Sequence, residues 1–252
     1  MSDRIGGPVD HFLEIYGTLP RAGPGANELT RRAFRLMSHV GEAPRILDVG
    51  CGPGMQTIEL LRLCGGTVVA LDLLPEMLAR VQAAAEAAGV ADRLSVIEQD
   101  MAALDFPSGS FDVVWCEGAI YLLGFEAGLR KLRPLVKPGG YVAVSEAVWL
   151  KPDPPDEAVE FWREYPEIDT VEAKLAVIER VGYESVDHFV FPPSAWTEHY
   201  YDPMERRIAE KAPVWQGNIE AEAVLDAARH EIDVFRRYGD CYGYAFFVIR
   251  NA

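Results

Sequence analysis

Three glycines at alternate positions, Gly50, Gly52 and Gly54, follow an apolar run in the stretch RILDVGCGPG, which spans Arg45 to Gly54. Removing three side chains in five positions lets a loop turn tightly and lets a ligand lie against bare backbone. A helix beginning just after such a loop adds free N–H groups and the positive end of its dipole. Carboxylates accompany the loop. Asp48 lies inside the first apolar run, Asp72 ends TVVALD, Asp100 ends LSVIEQD and Glu117 ends FDVVWCE. A carboxylate at Asp72 can accept two hydrogen bonds from a ribose diol. Asp100 followed by Met101 offers an acceptor and an apolar face to an adenine ring. Acids at successive strand ends suit an uncharged ribose, an exocyclic amine and a cationic centre, and they repel a pyrophosphate. The spacing is GxGxG, not the GxGxxG of dinucleotide sites, and no Gly-Lys-Ser/Thr follows, which excludes a P-loop.

The segments carrying these residues alternate in type. RILDV, TVVALD, LSVIEQD, FDVVWCE and GYVAVSEA read as buried strands, short apolar runs of the length a sheet covered on both faces requires. Between them MQTIELLRLC, PEMLARVQAAAEAAG and FEAGLRKLRPLV read as helices, with Pro75 at the first position of one and Gly89 just past its end. Strands alternating with crossover helices predict an α/β doubly wound, Rossmann-like, mostly parallel sheet. Ligands of such sheets bind beyond the carboxyl ends of the strands, where the winding reverses, and the loop after RILDV lies there. Beyond Trp149 the alternation loosens into a proline-rich link, KPDPPDE, two helical stretches, a sixth strand in SVDHFVFP, two further helices and a last strand, YGYAFFVIR. The expected organisation is one domain. Residues 1–40 form N-terminal lid helices, 41–150 the ligand-binding core, and 151–252 the substrate-side helices and last strands.

LDVGCGPG, followed in order by ALDLLPEML, IEQDM, FDVVWCEGAIYLL and LRPLVKPGGYVAVSE, resembles the class I S-adenosylmethionine-dependent methyltransferases, and within them the small-molecule branch. The likeness runs from Arg45 to Glu146. It implies a seven-stranded sheet whose last strand is antiparallel, with a helical insertion before it, and S-adenosyl-L-methionine as cofactor. By position it implies that Asp48 and the loop Gly50, Cys51, Gly52 and Gly54 line the methionine portion. Asp72 would hold the ribose hydroxyls with Leu73 beside the adenine, Asp100 and Met101 the adenine edge, and Glu117 and Gly118 the amino acid end or the substrate.

Methyl transfer from a sulfonium is an in-line displacement, and holding the acceptor about 3 Å from the methyl carbon supplies much of the acceleration. Glu117 is the candidate catalytic group: it can accept a substrate proton, bind a substrate amine or hold the cofactor's ammonium. Tyr121 is expected to border the substrate. CEGAIY stands where methyltransferases acting on base amines or on glutamine carry an NPPY-type signature, which counts against a nucleic-acid substrate. The later chain is rich in aromatics. Trp149, Trp196 and Tyr200 are candidates to clamp a flat or cationic acceptor, with SAWTEHYYDP the densest patch; His199 is read as structural. Tyr16, within IYGTLPRAGPGANE, is expected to reach inward from a lid. No His/Asp/Glu cluster at ligand spacing suggests a metal.

The bulk numbers agree with this reading. With 39 acidic and 24 basic residues the formal net charge is −15, which disfavours nucleic acid and anionic membrane as partners. Four cysteines without a CxxC pair read as reduced thiols of a cytoplasmic protein, and the N-terminus lacks the pattern of a signal peptide. The expected partner is a small-molecule methyl acceptor, and the expected assembly a monomer or homodimer. Rival functions are a non-catalytic S-adenosylmethionine-binding regulator, an aminopropyl transferase and, on glycine spacing the weakest, a NAD-dependent dehydrogenase.

Overall fold

The computed structural model describes residues 8–252. The first seven residues, part of the stretch weighed above for a signal peptide, lie outside it. Five parallel strands form the centre: β1 (Arg45–Val49), β2 (Thr67–Asp72), β3 (Leu94–Glu98), β4 (Phe111–Cys116) and β5 (Val136–Trp149). A two-residue β6 (Asp169–Thr170) pairs parallel with the end of β5. Two long strands, β7 (Tyr183–Val190) and β8 (Tyr242–Asn251), complete the sheet in the order β3-β2-β1-β4-β5-β8-β7. β8 runs antiparallel to both neighbours. The topology is the doubly wound one that the resemblance implies, with β6 as an eighth strand. DTVEAKLAVIERVG reads as one helix. Asp169 and Thr170 pair instead with Val148 and Trp149, and Thr170 caps the helix that follows by accepting from the Ala173 amide at 3.2 Å.

Alternation along each strand divides the core. Ile46, Val68, Val113 and Trp115 point to one face, where they meet α2 (Asn27–Arg35), α3 (Met55–Leu63), α9 (Asp202–Lys211) and α10 (Ile219–Tyr238). Leu47, Val69, Val114 and Cys116 point to the other, against α5 (Phe125–Leu132) and α7 (Val171–Val181). Four more helices complete the chain: α1 (Pro8–Ile15), α4 (Pro75–Ala88), α6 (Asp156–Phe161) and the short α8 (Ser194–Trp196). Pro75 opens α4, and Gly89 closes it in the left-handed conformation at φ +68°.

The insertion between β7 and β8 is longer than the two helices expected. Its start, Ser194–Trp196, runs through a π-turn at Thr197–Tyr201 into α9. The wider π-turn buries Trp196, Tyr200 and Tyr201 together. These three aromatics therefore cover the carboxyl end of the sheet.

One buried ion pair fastens α7 to β5. Lys174 Nζ lies 2.8 Å from Glu146 Oε1, with 3% and 1% of the two side chains exposed, and donates to the Glu167 carbonyl at 2.6 Å. Its ammonium also stands 4.7 Å from the centre of the Phe125 ring. Lys174→Met strands Glu146 in the core and should cost about 3 kcal/mol by urea unfolding. Adding Glu146→Gln should recover a clear part of that loss, because no charge then remains buried.

Candidate functional site

The loop after β1 is held open by its glycines. Gly50, Gly52 and Gly54 all have positive φ, at +68°, +52° and +85°. A Cβ on Gly50 would stand 2.6 Å from the Cβ of Ala119, and one on Gly54 would stand 2.5 Å from Val81. Gly54 therefore serves the packing of α3 against α4, while Gly50 and Gly52 face a cavity of about 280 Å³. Cys51, Asp72, Glu117, Gly118, Tyr121 and Tyr16 line the same cavity. These expected residues do come together.

Asp72 accepts from the Gly52 amide at 2.8 Å and from the Leu74 amide at 3.0 Å, one bond on each oxygen. Each carboxylate oxygen keeps a second acceptor site, which leaves the group able to take a diol. Leu73, Asp100 and Met101 lie outside the cavity lining. Leu73 is 61% exposed, Asp100 caps the turn at Met101–Ala103 by accepting from the Ala102 amide at 2.7 Å, and Met101 is buried. They form the ends of β2 and β3, beside Asp72 on an open edge.

Asp48 sits below the loop instead of lining the cavity, a correction to its expected direct contact. It is fully buried, and its Oδ2 accepts from Thr57 Oγ1 at 2.5 Å and from Gln56 Nε2 at 3.4 Å. Its Oδ1 has no partner among the described residues. Burial pushes this carboxyl up to about 7, with the charge of Glu117 adding to the rise and the bonds from Thr57 and Gln56 opposing it. Gln56 does line the cavity and also donates to the Cys51 carbonyl at 2.8 Å, so Asp48 reaches the loop through it.

Arg21 Nη1 donates to Glu117 Oε1 at 2.6 Å, while Trp115 Nε1 and Thr30 Oγ1 donate to Oε2 at 3.0 and 3.3 Å. Both oxygens of Glu117 are taken up by donors of this chain. Glu117 thus anchors Arg21. Arg21 was not singled out in the sequence; the signal available was one cation inside a glycine- and proline-rich loop. Gly25 makes the approach possible, because a Cβ there would lie 2.7 Å from Arg21 and 2.8 Å from Glu117. The same N-terminal segment is tied down by Arg80, which donates to the carbonyls of Gly17 and Leu19.

A second cavity, of about 250 Å³, adjoins the first. Ala22, Gly23, Pro24, Gly118 and Tyr121 line both. Trp196 and Tyr200 line the second, together with Trp162 and Tyr244. Trp149 does not: it is half-buried and packs edge-on against Tyr242 with ring centres 6.5 Å apart. His199 lines neither. Glu231 of α10, unnoticed in the sequence among the charges of a long helix, lines the second cavity and accepts from the Tyr16 hydroxyl at 3.2 Å. A wider depression, lined by Ser108, Arg133 and Asn251, opens at the opposite end of the sheet, away from all these groups. Among the described residues no helix is long and apolar enough to cross a membrane.

The first cavity lies at the carboxyl ends of β1, β2 and β4, where ligands of doubly wound sheets bind. Residues 46–140 match a family described as a methyltransferase domain. Over 173 residues the chain is 27% identical to a sterol 24-C-methyltransferase of Gibberella zeae, a match covering 64% of this chain and 45% of that protein. The chain thus spans less than half the length of this relative. Among solved structures, YjhP of E. coli has a TM-score of 0.84 at 21% identity, over 95% of this chain and 98% of that one. A methyltransferase from Geobacter sulfurreducens, solved with S-adenosyl-L-homocysteine, has a TM-score of 0.83 at 19% identity, over 95% and 97% of the two chains. The chain is thus similar to methyltransferase domains over residues 46–140, and it shares the fold of the Geobacter sulfurreducens methyltransferase.

A carboxyl raised on folding binds a proton that the unfolded chain has already released. The stability it contributes is full below an unfolded value of about 4 and is lost as pH rises to about 7. Asp48→Asn keeps the acceptor for Thr57 and removes the titration. Between pH 5 and pH 8 the variant should gain on the parent by about 1–3 kcal/mol in urea unfolding. An equal stability difference at both values would show that Asp48 does not titrate in this range.

Proposed function

We propose that the protein binds S-adenosyl-L-methionine in the first cavity and transfers its methyl group to a small-molecule acceptor held in the second. The observation that carries this reading is the junction of the two cavities at Gly118 and Tyr121, beside a glycine loop and a ribose-accepting carboxylate. The donor set fits the cofactor. Asp72 keeps acceptor sites for the ribose hydroxyls, and the backbone of Gly50 and Gly52 lets the methionine chain lie close. Asp48, buried below the loop, accepts from Gln56 and so holds that side chain in the cavity wall. Leu73, Asp100 and Met101 supply the adenine edge on the open side. Arg21 lines the first cavity, its Nε buried without a partner among the described residues, and would take the cofactor's carboxylate.

The bound cofactor supplies a methyl group on a leaving group that needs no acid. The protein's task is then placement. Tyr121 and Gly118 frame the passage through which acceptor and methyl must meet, and the insertion aromatics exclude water around it. A formal net charge of −15 supports a soluble small molecule over nucleic acid or an anionic membrane as acceptor, and four free cysteines support a reducing cytoplasm.

Isothermal titration with S-adenosylmethionine, S-adenosylhomocysteine and NAD tests the reading. Both sulfur nucleosides should bind and NAD should not; binding of NAD alone would overturn it. Asp72→Ala removes its charge-assisted bonds to the ribose, and a net loss of about 1.5–3 kcal/mol should weaken S-adenosylhomocysteine by about 10- to 100-fold. An unchanged affinity in a folded variant would remove Asp72 from the site.

A further inference from the structure

The second cavity has a one-sided chemistry. Its aromatic walls include Trp162, Trp196, Tyr200 and Tyr244, and the charged residues that line it, Glu164 and Glu231, are both acidic. Glu231 is half-buried at the inner end, where the Tyr16 hydroxyl reaches it from the first cavity. Burial raises its carboxyl above the usual range, while the phenols of Tyr200, Tyr16 and Tyr201 pull it back. The groups that face it are phenols, and none is a cation. Two buried glutamates elsewhere in this protein each have a cation beside them, Arg21 for Glu117 and Lys174 for Glu146.

We propose that the second cavity receives the cationic head of an amine acceptor, with Glu231 as its counter-ion at the junction with the donor site. The inference rests on the methyl-transfer reading above. The electron-rich faces of tryptophan and tyrosine attract an onium group, most strongly where water is excluded. A carboxylate in the same desolvated space supplies the opposite charge that burial otherwise makes costly. Trp162 Nε1, buried without a partner among the described residues, is a donor only and calls for an oxygen acceptor on the same ligand. A protonated amine is no nucleophile, so it first passes its proton to Glu231. The nitrogen lone pair then forms the N–C bond as the S–C bond breaks with its electron pair to sulfur. The product is again an ammonium, and the carboxyl proton is returned to water.

The test uses two probes of one shape, choline and 3,3-dimethylbutan-1-ol, which differ by a cationic nitrogen in place of carbon. Titrated into the full chain saturated with S-adenosylhomocysteine, choline should bind at least about tenfold more tightly than the alcohol. Glu231→Gln should cut that preference to about threefold or less, with S-adenosylhomocysteine affinity and thermal midpoint kept. Trp162→Leu, which leaves the carboxylate in place, should lower it as well and stands in if the first variant does not fold. Equal binding of the two probes, no binding of choline, or a preference unchanged in the variants overturns the proposal. Failure of S-adenosylhomocysteine to bind the parent is a separate result, and it overturns the donor site itself.

Discussion

A carboxylate with 1% of its side chain exposed cannot stay charged in a protein interior without a cation beside it, and for Glu117 that cation is Arg21. The pair joins two distant parts of the chain: the tip of β4 and a loop 96 positions earlier. Because Arg21 must reach Glu117, the segment from Ala22 to Pro24 is laid across the carboxyl edge of the sheet, where it forms a wall common to both cavities. Gly25 completes the arrangement by leaving room for the guanidinium. The N-terminal segment is thus held as part of the site and is more than a cover over it.

The sheet and the insertion make different contributions to that site. The sheet supplies fixed backbone and carboxylates at the ends of β1, β2 and β4, which are rigid because their strands are buried on both faces. The insertion supplies aromatic surface. Its π-turn turns Trp196, Tyr200 and Tyr201 inward together, and Trp196 is braced from behind by Phe235, stacked at 4.8 Å and 18°. A ledge of glycine backbone and carboxylates therefore sits beside an aromatic chamber lined largely by later residues of the chain.

The acidic groups of the site differ in their environments, and their tasks differ accordingly. Asp72 is bonded only by backbone amides and keeps free acceptor sites. Asp48 is buried with neutral partners and is drawn toward protonation. Glu117 is neutralised by Arg21, whereas Glu231 is surrounded by phenols and lacks a cation. Four carboxylates at one edge of a sheet would repel one another if all were equally charged and equally solvated. Distinct partners remove that conflict.

The sequence by itself determined the strands, the crossover helices and the glycine loop. These depend on local rules: apolar runs bounded by turns, proline at a helix start, and glycine where φ must be positive. Asp72 was legible for the same reason, since its place at a strand end fixes where its carboxylate goes. What only the tertiary structure decided were the pairings across long sequence distances. Arg21 on Glu117, Tyr16 on Glu231 and Lys174 on Glu146 leave no periodic trace, because each side chain reads as an ordinary surface charge or loop residue until the fold buries it. Trp149 and Trp196 show the same limit from the other side: both are aromatic residues near the carboxyl edge, yet only Trp196 lines the cavity, while Trp149 packs half-buried against Tyr242. That choice is made by which neighbouring rings fill the space first, and packing of that kind is a property of the assembled chain.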